Sequence, residues 1–305
     1  MQSINIAERE YSHHLPIEQE RLFDENNNYL FDTSYLMVVS VEGEKASEFL
    51  QGQLTCDLNK VTSTSAHPAL YCNAKGKVIC YFYIYQESQN KINLIMPEDI
   101  SQETIRILNR YAPFSRVKVF CRQLRVFGLL KNNDEVSVNL SEKICQLKID
   151  NDRYLLVVDN EGVQALWQDF YNNQTARGSY AWHYLNMENK DFNLYPSTQT
   201  HFFPHRLDLH KTPSISFDKG CYVGQEIIAR THYKAKPKYG LFFYTVRLNE
   251  PPTLKQDILT DENKKLGEVI DYCPLSEEDY LLAATLLLEH PNEAFLGGTK
   301  IYLQD

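Results

Sequence analysis

The order of apolar and polar positions predicts strands and helices in alternation along the first half of the chain. Runs rich in β-branched and aromatic residues predict strands at residues 35–41, 78–85, 91–96, 117–120, 124–130 and 154–158. Apolar residues that recur three and four positions apart predict helices at residues 46–58, 99–111 and 162–171. The runs at 78–85 and 91–96 are expected to pair as a hairpin. This mixture contains few strand–helix–strand units and predicts an α+β fold with antiparallel sheets.

The pattern changes after Pro237. Short strands separated by turn residues are predicted at residues 241–248, 257–260, 267–272, 280–287 and 301–303. We therefore expect an α+β region of two subdomains over residues 1–237 and a small β-barrel over residues 238–305. The first 30 residues are polar, and a turn or loop is expected at residues 26–28.

Charge and composition narrow the function classes. The 305 residues carry a formal net charge of −9, which argues against a general duplex-binding protein. The apolar run at residues 281–288 is far shorter than the ~20 residues that a membrane span needs. The first residues lack the apolar segment of a secretory signal. Seven scattered cysteines without a C-x-x-C pair are typical of reduced thiols, so a cytoplasmic protein without a membrane partner is expected.

The histidines do not form a recognisable ligand pattern. His201, His205 and His210 are close in sequence, but Pro204 interrupts any regular helix that would place them on one face. We therefore expect no resident metal site. A cysteine hydrolase is disfavoured as well, because no oxyanion-stabilising element is recognisable in the sequence.

The strongest candidate for chemistry is the segment FDKGCYVGQEIIAR at residues 217–230. Gly220 and Gly224 allow a tight turn around Cys221. Lys219 and the positive end of a helix starting near residue 223 or 224 would both favour the thiolate. Spacing alone also permits an ordinary buried cysteine in a strand–helix turn.

The stretch KGCYVGQE within this segment closely resembles the K-G-C-Y-x-G-Q-E signature of the YgfZ-type folate-binding proteins, which are relatives of the glycine-cleavage T-protein. Three further stretches agree in order. They are FLQGQLTCDL at residues 49–58, YCNAKGKV at residues 71–78 and FFPHRLDLHKTPSISF, which begins near residue 202 and leads into the cysteine segment. The resemblance covers roughly residues 30–245.

This resemblance implies a T-protein-like fold with a central opening that binds tetrahydrofolate or a one-carbon derivative. It also implies a link to iron–sulfur cluster assembly or repair and, through iron–sulfur enzymes, to tRNA modification. T-proteins transfer an aminomethyl group with the help of an aspartate. Cys80 and Tyr81 stand at the matching place here, so the expected carboxylate is missing and enzyme activity stays open.

The same resemblance suggests site residues. Trp182 and Tyr35 fall where aromatic rings contact the folate, and Glu188 falls where a carboxylate faces the pterin. Tyr222 and Arg230, within or just after the cysteine signature, are further expected folate contacts, and Cys221 with Lys219 is the expected reactive group at the rim of the pocket. Each residue also has a structural alternative, such as core packing for Trp182.

A basic stretch follows from the charge distribution. Residues 201–240 contain seven basic and three acidic residues in a chain that is acidic overall. This stretch would suit a folate tail, an acidic protein surface or, with weaker support, direct tRNA contact. The expected partners are iron–sulfur proteins or their assembly machinery. Two alternatives remain open: a folate-dependent one-carbon transferase, and an interaction module that has lost folate.

Overall fold

The structure is a computed structural model and describes residues 2–132 and 144–303. Its strands are β1 (Gln2–Ile6), β2 (Arg9–His13), β3 (Tyr29–Asp32), β4 (Leu36–Glu42), β5 (His67–Cys72), β6 (Val78–Ser88), β7 (Lys91–Pro97), β8 (Lys118–Arg122), β9 (Arg125–Leu130), β10 (Cys145–Lys148), β11 (Arg153–Val158), β12 (Ala176–Arg177), β13 (Tyr239–Arg247), β14 (Asp257–Leu259), β15 (Lys265–Pro274), β16 (Asp279–Leu287), β17 (Glu293–Leu296) and β18 (Thr299–Tyr302). Its helices are α1 (Ile17–Glu20), α2 (Ala46–Gln53), α3 (Glu98–Tyr111), α4 (Asn160–Asn172), α5 (Ser179–Glu188) and α6 (Gln225–Lys234).

The first large sheet has the strand order β5-β6-β7-β4-β8 and is antiparallel throughout. Helices α2 and α3 cover one face, because their apolar stripes pack on the inward side chains of the strands. Leu50 of α2 and Leu108 of α3 are fully buried in this core. The hairpin predicted from residues 78–96 is confirmed as β6 paired with β7.

The second sheet has the order β10-β11-β9-β3-β12 and is antiparallel except for the short parallel pair β3–β12. Helix α4 packs on one face through Leu166 and Phe170. Helix α5 lies among β2, β3 and β15, and its side chains are buried on almost every side. Through α5, this sheet, the N-terminal hairpin and the C-terminal sheet share one core.

The C-terminal sheet is six-stranded, with the order β13-β16-β15-β14-β17-β18. It curls so that β13 and β18, at its two edges, contact each other, in agreement with the barrel expected there. Its core is continuous with the central one, since the Tyr180 hydroxyl donates to the Pro274 carbonyl at 2.6 Å. The division into residues 1–237 and 238–305 therefore stays a prediction.

The predicted strands and the helix at residues 99–111 form within one to three residues of their expected bounds. The elements that were not predicted are β1, β2, β3, β5, β10, β12, β17, α1 and α5. The hairpin β1–β2 was missed because β2 buries Arg9 and His13 rather than an alternating apolar set. Helix α5 was missed because a helix buried all round has no amphipathic period.

No helix in the described residues is both long and apolar enough to cross a bilayer.

Candidate functional site

The cysteine segment and the turn at residues 73–76 interlock through two glycines. Gly224, at φ +82°, caps α6, and a Cβ there would lie 2.5 Å from the Asn73 carbonyl oxygen. Gly76, at φ +73°, would likewise press a Cβ to 3.1 Å from Ile227. Both positions require glycine, because a side chain is strained at such φ values and has no space there. Two of the resembling stretches thus form one packed unit.

Lys219 joins a third stretch to this unit. Its ammonium donates to the carbonyl oxygens of Gln51 at 2.7 Å, Leu54 at 2.8 Å and Cys56 at 2.7 Å. Two of these carbonyls lie at the C-terminal end of α2, where helices leave acceptors without partners. Burial lowers the pKa of Lys219 to about 8. All three donors of the ammonium are engaged, so the structure gives Lys219 an anchoring position.

The remaining residues of the cysteine segment divide into exposed and buried ones. Cys221 is exposed and stands four residues before the first residue of α6. Tyr222 is buried, and the Lys219 ammonium lies 5.1 Å from its ring centroid. Burial raises the pKa of Tyr222, and its hydroxyl has no hydrogen-bond partner in the described part of the chain. Arg230 is exposed on α6.

A cavity of about 560 Å³, here cavity 1, lies where the three sheets meet. This volume is in the range of small-molecule sites. Its walls come from the first sheet, the segments around β10 and β11, the loop after α5, two 3-10 turns and β13. The lining residues are Pro68, Tyr81, Tyr83, Ile149, Arg153, Asn189, Lys190, Asp191, Phe192, Leu207, Asp208, Leu209, Lys211, Thr212, Leu241, Phe242 and Phe243.

Asp191 supplies a half-buried carboxyl group to cavity 1. The Tyr83 hydroxyl donates to its Oδ2 at 2.8 Å, and the Phe192 N–H donates to its Oδ1 at 2.9 Å. Burial raises the pKa of Asp191 despite the lowering effect of nearby Arg153. Each carboxylate oxygen has two lone pairs, so the group can accept from a ligand in addition to its protein partners.

Aromatic rings line the cavity beside this carboxyl group. Tyr81 stacks on Phe192 with 5.8 Å between ring centroids and 29° between planes. Burial also raises the pKa values of Tyr81 and Tyr83, so both phenols are protonated at neutral pH and act as hydrogen-bond donors. Cys80, by contrast, is buried within the sheet, and burial raises the pKa of its thiol to about 12. Of the pair that replaces the T-protein acids, only Tyr81 lines the cavity.

Trp182, Glu188 and Tyr35 do not line cavity 1. Trp182 is buried in the core, where Gly128 leaves space for its indole: a Cβ on Gly128 would lie 2.4 Å from Trp182 Cε3. Glu188 is the last residue of α5 and is exposed. Tyr35 is partly buried, and the Arg9 guanidinium lies 5.1 Å from its ring centroid.

A smaller cavity of about 400 Å³ adjoins cavity 1 and shares Arg153 and Asn189 with it. Arg153 is held between the Asp150 carboxylate, at 2.7 Å from its Nε, and the Asn186 side-chain oxygen, at 2.7 Å from its Nη1. Together the two cavities form an opening between the sheets. Within residues 2–132 and 144–303, no three His, Cys, Asp or Glu side chains are arranged to hold a metal ion.

Sequence reasoning missed Asp191, Tyr83 and Arg153. Asp191 follows α5 directly in the sequence NMENKDF, so its approach to β6 depends on a helix that was not predicted. The sequence contains one signal for Asp191. It lies three residues after Glu188, in the stretch where the resemblance placed a carboxylate that faces the pterin. Tyr83 and Tyr81 lie on one face of β6, as the two-residue period of a strand requires.

The chain is similar over most of its length to proteins named tRNA-modifying protein YgfZ. The protein from Colwellia psychrerythraea is 28% identical over 260 residues, which cover 79% of this chain and 77% of the relative. The protein from Blochmanniella pennsylvanica is 25% identical over 295 residues, covering 87% and 89% respectively. These relatives confirm the resemblance seen in the sequence. No protein-family model matches the chain.

A solved structure shows the same fold. The glycine cleavage system aminomethyltransferase T from Bartonella henselae superposes with a TM-score of 0.79 over 98% of this chain and 91% of that chain, at 15% sequence identity. The expected α+β fold of the T-protein type is therefore confirmed.

Proposed function

We propose, from the similarity to YgfZ proteins and the geometry of cavity 1, that this chain binds tetrahydrofolate or a one-carbon derivative and acts as an accessory protein in tRNA modification. The observation that carries the proposal is the half-buried Asp191 carboxyl group beside stacked aromatic rings in an opening of about 560 Å³. The name of the relatives suggests the process, which is tRNA modification. The cavity suggests the class of ligand, which is a folate.

The residues of cavity 1 fit a folate. The pterin ring is flat and presents adjacent N–H donors on one edge, which match the two acceptor oxygens of the Asp191 carboxylate. Tyr81, Phe192, Phe242 and Phe243 offer aromatic surface for its faces. The glutamate tail of a folate is anionic, and the cavity wall contains Arg153, Lys190 and Lys211.

Two of these cations are already positioned. The Lys190 ammonium lies 5.4 Å from the ring centroid of Phe243, and the Lys211 ammonium pairs with Asp208 at 2.9 Å. Exposed pairs such as the second contribute little by themselves. Lys211 would therefore exchange Asp208 for a ligand carboxylate at small cost.

One-carbon transfer is the second candidate function, because Asp191 supplies a carboxyl group to a cavity whose Cys80–Tyr81 pair lacks one. With its pKa raised by burial, Asp191 would hold or accept a proton at Oδ2, where Tyr83 donates. Formation of methylene-tetrahydrofolate from an aminomethyl donor, lost in Asp191→Asn, would support this candidate. Folate binding without turnover would favour the accessory role.

Cys221 is the proposed point of contact with iron–sulfur proteins or their assembly machinery in the cytoplasm. Its exposure leaves the thiol accessible to a partner, and the anchored segment around it holds its position. One thiolate is too few to hold a cluster, which usually takes about four ligands, so a partner would supply the rest. Cys221→Ala should fold normally but fail to support iron–sulfur-dependent tRNA modification in cells that lack the wild-type protein. Full support by the variant would refute this role.

Calorimetric titration with tetrahydrofolate tests the binding proposal, and two carboxyl variants locate it. Asp191→Asn should weaken binding by roughly 10- to 100-fold, since hydrogen bonds to a charged group contribute about 1.5–3 kcal/mol. Glu188→Gln, a matched change at an exposed residue three positions earlier, should change binding by less than about twofold. The reverse order would place the pterin at the carboxylate that the resemblance suggested. If the wild type does not bind tetrahydrofolate, the binding proposal is wrong, and the alternative of an interaction module that has lost folate stands.

A further inference from the structure

A separate cavity of about 500 Å³, here cavity 2, lies between the turn segment 203–210, helix α6 and residues 235–239. Its lining residues are Phe203, His205, Arg206, His210, Ile227, Thr231, His232, Ala235, Lys236, Pro237, Lys238 and Tyr239. None of them lines cavity 1, whose wall takes Leu207, Asp208 and Leu209 from the same turn segment. The two cavities are therefore distinct, and one segment contributes to both.

Flat rings dominate the walls of cavity 2. His205 and His210 stack with 4.6 Å between centroids, and His232 stacks on Phe217 at 3.8 Å. The Arg206 guanidinium lies 4.3 Å from the Tyr239 ring centroid. Walls of this kind accept another flat ring, because aromatic and guanidinium faces stack on heterocycles.

Two ring nitrogens in this wall lack protein partners. His205 Nε2 and His210 Nδ1 are shielded from solvent and make no hydrogen bond within the described residues. Burial lowers the pKa of His205 to about 4, so its ring is neutral at pH 7 and offers either a donor or an acceptor. Buried polar groups are rarely left unpaired. A heterocycle with polar edges would supply the missing partner.

The open side of the cavity is cationic. Lys236 and Lys238 are exposed on either side of Pro237, which favours an extended backbone for the residue before it. In an extended chain, residues two apart project to the same side. No acidic residue lines the cavity within the described part of the chain. Two carboxylates of neighbouring segments are already paired, Glu268 with Arg206 at 2.9 Å and Asp208 with Lys211 at 2.9 Å.

We propose that cavity 2 binds a nucleotide, with its base among the His205, His210 and Tyr239 rings and its phosphate at Lys236 and Lys238. A free mononucleotide and a nucleotide within single-stranded RNA present the same base and phosphate. The proposal is independent of folate binding, since the two cavities share no lining residue.

Calorimetry on the full chain distinguishes these sources with four probes: adenosine 5′-monophosphate, short single-stranded oligoadenylate, adenosine and inorganic phosphate. Binding of the monophosphate indicates a free nucleotide, and binding of the oligomer alone indicates RNA; either result supports the proposal. Adenosine and phosphate should each bind at least about tenfold more weakly than the nucleotide form, because each retains only one of the two contacts. Equal binding of phosphate alone, or no binding of either nucleotide form, would overturn it.

A pair of variants that match in size and differ in charge locates the ligand. Ala235 is exposed, lines the cavity and carries the last helical hydrogen bond through its backbone N–H, which any side chain preserves. Ala235→Glu should weaken nucleotide binding by at least about fivefold through repulsion of the phosphate. Ala235→Gln, of equal size but neutral, should change it by less than about twofold. Equal effects of the two variants would contradict the assigned phosphate position.

Discussion

Replacing Lys219 by methionine tests the anchoring of the cysteine segment. Methionine keeps an unbranched apolar stem of similar length but removes the ammonium that donates to three carbonyl oxygens at 2.7, 2.8 and 2.7 Å. Two of these oxygens, on Gln51 and Leu54, lie at the C-terminal end of α2, where no following helical turn supplies N–H donors to them. The variant therefore leaves buried acceptors without a donor.

The expected loss of stability follows from the same contacts. A hydrogen bond to a charged group contributes about 1.5–3 kcal/mol, but three bonds to one ammonium are not additive and water replaces part of them. We expect the free energy of unfolding to fall by about 2–4 kcal/mol. Urea unfolding followed by tryptophan fluorescence measures this change, because Trp182 is buried in the central core.

Lys211→Met is the matched control. Lys211 is exposed and its ion pair with Asp208 lies on the surface, so its loss should cost no more than about 1 kcal/mol. Lys219→Arg should not restore stability, since a planar guanidinium does not match three carbonyls that converge on one ammonium. Equal effects of the two methionine variants would refute the anchoring argument.

Three further predictions concern stability. Gly128→Ala should destabilise the protein by about 1–3 kcal/mol in urea unfolding and shift the tryptophan emission, because the new methyl group would lie 2.4 Å from Trp182 Cε3; unchanged emission and stability would contradict this packing. Gly224→Ala should cost about 2–3 kcal/mol in thermal unfolding, through strain at φ +82° and overlap with the Asn73 carbonyl, whereas Gly220→Ala, with open space around it, should cost less than about 1 kcal/mol. In the folded protein the pKa of His205 is about 4, because burial, His210 and His232 lower it from the ordinary value of 6.5. Between pH 4 and pH 6.5 the unfolded state therefore binds one more proton than the folded state. Stability should therefore fall as pH drops from 6.5 toward 4, by about 1–2 kcal/mol for this partly exposed group, and His205→Gln should flatten that part of the profile.

The sequence predicted elements whose pattern is local. The strands at β4, β6 and β7 and the helix α3 followed from periodicity, because one face of each packs on a single core and the other meets solvent or a second layer. Helix α5 did not follow, because it is enclosed by β2, β3 and β15 and buries Trp182 and His183 on different faces. The order of apolar and polar residues in α5 therefore follows the tertiary packing around the helix and shows no helical period.

The candidate site was predictable only in part. The structure brings Gly76, Gly224 and Lys219, which lie in stretches that carry the resemblance, together around the cysteine segment. The residues that line cavity 1 come from six separate parts of the chain, so no short motif contains them. Asp191 faces Tyr83 across 108 positions of sequence, and such a pair becomes visible only in the folded chain. The expected roles of Trp182, Glu188, Tyr35, Tyr222 and Arg230 in folate binding remain predictions.

A crystal structure of the protein with 5-formyltetrahydrofolate, a stable folate, tests the central claim most directly. The account predicts the pterin in cavity 1, with its N–H edge on the Asp191 carboxyl group, a face against Tyr81 or Phe192, and the glutamate tail toward Lys190 or Lys211. A folate bound at Glu188 or against the cysteine segment, with cavity 1 filled by water alone, would contradict it.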